Sequence, residues 1–223
     1  MVLNIHGNAI STCTARVILS CLAMGLEPEK DFKLILEEFS ELSKPDWIAH
    51  QPFAQMPWLE DTETGIELFE SRAIVSYIAA KLKSPLAPGP DDLAAFAKYQ
   101  QAAQNEVGQY DGPAAALAWQ LYFGKWYGVT PDEEVITKQK AALKSKLEGY
   151  ERILSKQAYL GGDKLTVADL SHLPYGSLLS NIGAAPTLTD GSLPNVARWW
   201  KDLQANPAWA KTKEFGHPEH GKA

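Results

Sequence analysis

Ser11, Thr12, Cys13 and Thr14 set three hydroxyls and a thiol on four consecutive residues. They lie between an alternating apolar and polar run, Val2 to His6, and a helically spaced one, Val17, Ile18, Leu19 and Leu22. The pattern predicts a strand, a turn and the start of a helix. A helix start carries backbone N–H groups without intrahelical partners and a partial positive charge, so it favours an anion. A Ser or Thr hydroxyl there adds one directed hydrogen bond. Such a place suits an anionic ligand, a thiolate among them. Cys13 offers a second chemistry, because a thiol in a first helical turn can be acidified into a nucleophile.

The elements that must position this segment follow from the next seventy residues. Asp31 to Leu36 predicts a second strand with Phe32, Leu34 and Leu36 on one face, giving a βαβ start. Ser43 to Ala49 reads as an irregular helical turn. Two prolines, Pro52 and Pro57, bracket a short loop, and a strand begins at Pro57, which cannot donate a ladder bond. Asp61-Thr62-Glu63-Thr64-Gly65 is a turn and Ile66 to Phe69 the returning strand of a hairpin. Glu70-Ser71-Arg72 then opens a helix whose face is Ile74, Tyr77, Ile78 and Leu82. This order predicts a compact α/β domain over 1–83, followed by a stiff proline-rich linker over 84–91.

From 92 to 223 the pattern is helical throughout. Leu93, Phe96, Gln100, Ala103, Val107 and Tyr110 mark one face, and Leu143, Leu147, Tyr150 and Leu154 another. Gly112-Pro113 should bend the first of these helices. Trp119, Tyr122, Phe123, Trp126 and Tyr127 crowd one segment; they fit a packed core or interface, or the wall of an apolar pocket. Thr166 and Asp169 have the spacing of a capping box, with Leu165 and Leu170 as its hydrophobic staple, a folding element rather than a catalytic one. Val196, Trp199, Trp200 and Leu203 form a last amphipathic helix, and a loose tail is expected from Glu214 on.

Composition narrows the function. A chain of 223 residues with 45% hydrophobic content supports real cores. A net charge of −6 without an extended basic run argues against nucleic acid or an anionic membrane as partner. No apolar run reaches the roughly 20 residues that span a bilayer, and no secretory pattern opens the chain, so a cytoplasmic protein is expected. Two cysteines, Cys13 and Cys21, fit a reducing compartment, and five scattered His, with His217 and His220 in the tail, form no metal-ligand cluster.

Four segments in register resemble the cytosolic glutathione transferases, with the phi-like, serine-dependent group the nearest match. They are Ser11 to Val17, Gln51 to Pro57, Phe69 to Ile74 and Leu165 to Pro174. The resemblance spans nearly the whole chain and implies a thioredoxin-like first domain and an all-helical bundle as second domain. It also implies a homodimer and glutathione as co-substrate, with no separate cofactor. By position, Ser11 matches the serine that stabilises the glutathione thiolate for attack on hydrophobic electrophiles or reduction of organic hydroperoxides. Gln55, Met56 and Pro57 match the loop that binds the peptide, Pro57 being the family's cis-proline. Glu70 and Ser71 match the pair that holds the γ-glutamyl end. Where the family often carries His-Lys for the glycine carboxylate, this chain has Leu42 and Ser43, and Lys44 is the substitute one place over. Ala54 replaces a usual Gly, a mild change unless the residue needs positive φ. Trp119, Phe123, Leu178 and Thr12 match the lining of the apolar co-substrate site. Two other readings stand beside this one: a non-catalytic carrier of hydrophobic molecules, and a thiol transferase with Cys13 as nucleophile.

Overall fold

A computed structural model describes residues 2–216. The first unit opens with β1 (Leu3–Gly7), α1 (Thr12–Ala23), β2 (Phe32–Leu36) and α2 (Pro45–His50). It continues with β3 (Trp58–Asp61), β4 (Ile66–Phe69) and α3 (Ser71–Lys81). The sheet order is β2-β1-β3-β4, with β1 parallel to β2, antiparallel to β3, and β3 antiparallel to β4. This is the thioredoxin-like arrangement. Period-two alternation on β1 sends Leu3, Ile5 and Gly7 into the core and Asn4 and His6 to the other face. Phe32 and Leu59 complete the inner face, and Ala15, Ile18, Leu19, Ile74 and Ile78 of α1 and α3 are buried with them. On the other face, Trp47 of α2 packs with Met56 and Trp58.

The α3 helix is fastened to the β3–β4 hairpin by a buried carboxylate. Asp61 accepts hydrogen bonds from Lys81 Nζ and from the Tyr77 hydroxyl at 2.5 Å, and Lys81 also reaches Glu63 at 2.9 Å. Burial alone would raise the Asp61 pKa; these donors, the Glu63 backbone N–H and the Lys81 charge instead hold it at about 2.

The second unit spans Pro88–Asn206 and contains α4 (Leu93–Asn105), α5 (Gly112–Leu121), α6 (Glu133–Leu154), α7 (Val167–Leu170), α8 (Leu173–Asn181) and α9 (Pro194–Gln204). A π-helical segment, Glu106–Asp111, joins α4 to α5. The expected bend is therefore placed just before Gly112-Pro113. Pro113 cannot donate to the carbonyl four residues back and its ring needs room there, which a wider turn supplies. The buried line of α4 and this segment is Tyr99, Ala102, Glu106 and Tyr110. Tyr110 is buried as the pattern predicts, whereas Tyr99, Ala102 and Glu106 take the buried places expected of Gln100, Ala103 and Val107, and Leu93 and Val107 are exposed. On α6, Leu143, Leu147, Tyr150 and Leu154 are buried as the spacing predicts.

The capping box of α7 is present, and Asp169 does more than cap. Its carboxylate accepts from Thr166 N at 3.0 Å, Thr166 Oγ1 at 2.8 Å, Leu160 N at 2.9 Å and Trp199 Nε1 at 3.0 Å. Beside it the buried His172 is neutral: burial lowers its pKa, Nδ1–H donates to the Ala168 carbonyl at 2.9 Å, and the Tyr150 hydroxyl donates to Nε2 at 3.0 Å. The ring of Trp200 on α9 lies so close to Gly176 that a Cβ there would overlap it.

One element departs from the pattern. The chain does not end its structure with α9: α10 (Pro207–Glu214) follows and belongs to the first unit, where it packs on α1 with Trp209 fully buried. Phe215 stacks on Phe32 of β2 with centroids 6.2 Å apart. The 207–216 stretch is thus part of the α/β unit rather than of the helical domain over 92–223. The expected loose tail falls, beyond Gly216, on residues outside those described, as do His217 and His220.

Candidate active site

Ser11 is the N-cap of α1, with extended backbone (φ −66°, ψ 124°). Its Oγ accepts from the Thr14 backbone N–H at 3.4 Å, and its own N–H donates to the Asn8 carbonyl at 2.9 Å. The cap bond uses a lone pair of the Ser11 oxygen, so the hydroxyl can still donate its own proton to another acceptor. Thr12 and Thr14 are buried behind it while Ser11 stays partly exposed. A close approach of strand and helix sets this position. A Cβ on Gly7 would stand 2.7 Å from Thr14 Oγ1, so a glycine is required where β1 meets α1.

One turn further on, Arg16 is fully buried. Its Nη1 donates to Ser71 Oγ at 2.8 Å and lies 3.4 Å from Cys13 Sγ. A buried guanidinium must be hydrogen-bonded to be tolerated. Here it ties the first turn of α1 to the first residue of α3. Two helix starts and one fixed cation therefore make a region of positive potential beside Ser11 and Ser71. Ser71 is nearly inaccessible, and Glu70, just before it, is exposed with φ +68°. A non-glycine residue in that region costs on the order of 1–3 kcal/mol and persists where the surroundings over-determine it.

The loop between α2 and β3 is a turn in which the Ala54 N–H donates to the Gln51 carbonyl at 3.1 Å and the Phe53 N–H to Gln51 Oε1 at 2.8 Å. Ala54 has φ +52°, so the position that looked mild is one that favours glycine. The Met56–Pro57 bond is cis. Met56 and Pro57 are buried, Gln55 is exposed, and the Gln55 carbonyl accepts from Trp47 Nε1 at 2.9 Å. Lys44 stands at the N-cap of α2 with its ammonium 2.6 Å from Glu41 Oε1, in a surface ion pair.

In the helical unit, Trp119 on α5 is 43% exposed and stacks on Tyr127 at 5.4 Å. Tyr122, Phe123 and Trp126 contact one another edge to face at 5.1 to 5.5 Å. Leu178 is buried on α8, which packs on α5. The fold thus ties Ser71 through Arg16 to Cys13 in the first turn of α1, next to Ser11 and Thr12 in the chain, and collects Gln55, Met56 and Pro57 in one loop. It sets Trp119 and Phe123 in one aromatic segment and leaves Lys44 at an ion pair. The sequence reading gave Arg16 no role; its one signal was a charge inside the apolar run Ala15 to Leu19. The two thiols differ sharply: burial pushes Cys21 up to about 12, whereas Cys13 is partly exposed.

Comparison with known proteins gives two family matches: the glutathione S-transferase N-terminal domain over residues 3–80 and its C-terminal domain over 111–207. The Arabidopsis thaliana glutathione S-transferase PM239X14 is 40% identical over 201 residues, 88% of each chain. The crystal structure of glutathione transferase F7 from Populus trichocarpa superposes with a TM-score of 0.85 at 34% identity, covering 96% of this chain and 98% of that one. Maize glutathione S-transferase I in complex with an atrazine glutathione conjugate gives a TM-score of 0.86 at 29% identity, with 99% of both chains covered.

Proposed function

We propose that this chain, which belongs to the glutathione S-transferase family and is a glutathione transferase, uses Ser11 to hold the glutathione sulfur as a thiolate. The observation that carries the reading is the Ser11 hydroxyl at the α1 N-cap, whose proton the cap bond does not use, with the buried Arg16 one turn behind it. The thiol proton passes to solvent, and the Ser11 O–H donates to the sulfur. The thiolate lone pair then forms a C–S bond as the leaving group departs with its bonding electrons. With a hydroperoxide the thiolate takes the terminal oxygen as the O–O bond breaks, giving the sulfenic acid and an alkoxide that takes a proton from solvent to leave as the alcohol; a second glutathione thiol then forms the disulfide and water leaves.

The remaining roles are proposed position by position. Gln55 and Met56 hold the peptide, in a loop shaped by Pro57. The Ser71 hydroxyl and the α3 start take the γ-glutamyl carboxylate, and Glu70 takes its ammonium. Lys44 exchanges Glu41 for the glycine carboxylate. Trp119, Phe123, Leu178 and Thr12 line the co-substrate site, a reading supported by the half-exposed aromatic segment and by the ring-bearing conjugate on the maize relative. The working form in this reading is a cytoplasmic homodimer with glutathione as co-substrate and no separate cofactor. None of the helices among the described residues is long and apolar enough to cross a membrane.

The test is a glutathione titration that follows thiolate absorbance and conjugation of an aryl halide. In Ser11→Ala, the pKa of bound glutathione should rise by about 1–2 units and kcat/KM near neutral pH should fall about 10- to 100-fold, the worth of one directed donor to an anion. Cys13→Ser should stay within about twofold, since a thiol is not the nucleophile in this reading. A dead Cys13→Ser variant would replace it with thiol transfer. Glutathione binding without any conjugation would favour the carrier.

A further inference from the structure

The face of the sheet opposite α1 and α3 carries three parallel, stacked rings. His6 on β1 and Trp58 on β3 are register partners, and their rings stack at 3.8 Å with an interplanar angle of 8°. His50, the last residue of α2, stacks on Trp58 at 4.2 Å and 5°. Each imidazole has its own carboxylate: His6 Nδ1 lies 3.3 Å from Glu37 Oε1, and His50 Nδ1 lies 2.6 Å from Glu67 Oε2.

The positions in the chain give this stack its meaning. His50 immediately precedes the 51–57 loop and Trp58 immediately follows it, so the pair closes the loop at its base. Gln55, Met56 and Pro57 hang from that closure. His6 backs it from the neighbouring strand. The two imidazoles are not equivalent. His6 is half-buried, its inward Nε2 has no hydrogen-bond partner, and desolvation holds its pKa down against the pull of Glu37 and Glu60. The outer ring, His50, meets the Trp58 indole face and the Glu67 carboxylate from the C-terminal end of α2.

We propose that His50 is a positioning residue for glutathione: stacked on Trp58 and bonded to Glu67, it clamps the base of the 51–57 loop. This rests on the reading that the loop binds glutathione. The charged and titratable groups around the stack are Glu67 on β4, Glu60 on β3, Glu37 after β2 and His6 on β1. Lys44 and Asp46 lie at the far end of α2.

The experiment measures glutathione Kd directly, without turnover, on the full chain at about pH 7. It compares the unaltered protein with His50→Phe, which keeps a flat ring for Trp58 but loses the bond to Glu67, and with His50→Ala, which removes the stack as well. His50→Phe should bind about 2- to 3-fold more weakly, the scale of one partly exposed hydrogen bond. His50→Ala should bind about 5- to 10-fold more weakly, the scale of that bond and a ring contact together, with kcat at saturating glutathione within about twofold, as expected for lost binding rather than lost transition-state stabilisation. A His50→Ala variant with unchanged Kd or with lowered kcat alone overturns the clamp, as does a His50→Phe variant no tighter than His50→Ala. If the unaltered chain binds no glutathione, the functional reading fails and the clamp with it. Binding that ignores His50 sinks only the clamp.

Discussion

Replacing Ala54 by Gly should stabilise the protein. Ala54 is exposed, so no packing is lost, and its φ of +52° places an L residue in the left-handed region. That conformation costs roughly 1–2 kcal/mol for a residue with a Cβ and almost nothing for glycine. The glycine enlarges the unfolded ensemble, at a cost of roughly 0.4–1 kcal/mol. The difference leaves a net gain of about 0.5–1 kcal/mol. For a chain of this length each kcal/mol moves Tm by about 2–4 °C, so the midpoint should rise by about 1–4 °C. The assay is paired thermal unfolding at one scan rate, with Gly65→Ala as the reverse control. Gly65 has φ +70° and open space around it, so only the backbone term acts, and its Tm should fall by a similar amount. A lowered Tm for Ala54→Gly, or shifts of the same sign for both variants, would refute the strain argument.

Four further outcomes are expected. Asp61→Asn should lose about 1–2 kcal/mol at neutral pH, discounted because Lys81 and Glu63 reach water, since a carboxylate held near 2 stabilises the fold above its ordinary value near 3.8. That stability disappears as pH falls from about 4 towards 2, so urea midpoints of the two proteins should converge there. Asp169→Asn should cost about 2–4 kcal/mol in urea unfolding, because whichever way its amide is turned the NH2 group faces two of the four donors, whereas Thr166→Ala should cost about 1 kcal/mol. Iodoacetamide followed by mass spectrometry should modify Cys13 and spare Cys21, whose thiol is buried and pushed up to about 12. Trp119→Ala should raise KM for an aryl halide about 3- to 10-fold and leave glutathione KM within about twofold, the worth of one aromatic contact.

What could be read from the sequence was what repeats along it. Alternation gave β1, helical spacing gave the buried line of α6, and Thr166 with Asp169 announced the α7 cap three residues apart. The site was legible to the extent that its groups are neighbours in the chain. Ser11 before a helical run reads as a cap because capping is local, and Gln55, Met56 and Pro57 lie in one stretch. Asp169 shows the limit. Its cap was visible, but its bonds to Leu160 and Trp199 come from 9 residues before and 30 residues after it, and no spacing rule foretells them.

The same limit explains α10 and the ring stack. Ala208, Trp209 and Thr212 are the buried residues of α10. One aromatic, one methyl group and one hydroxyl make no convincing apolar period, so the helix exists because α1 and β2 offer a surface for Trp209 and Phe215. His6, His50 and Trp58 likewise look ordinary one by one: a histidine in a strand, a histidine at a helix end, an aromatic after a proline. Antiparallel register between β1 and β3 puts the first and third on one face, and the turn after α2 folds the second onto them. Glu67 then meets His50 because β4 returns beside β3. Each step depends on the fold being formed already. A residue that acts by holding two ends of a loop together leaves no local trace, whereas a residue that acts on the ligand, such as Ser11, must sit in a recognisable local geometry. Positioning residues should therefore be the ones that sequence reading misses. The glutathione Kd of His50→Ala, set beside that of His50→Phe, tests that expectation where the chain itself gives no hint.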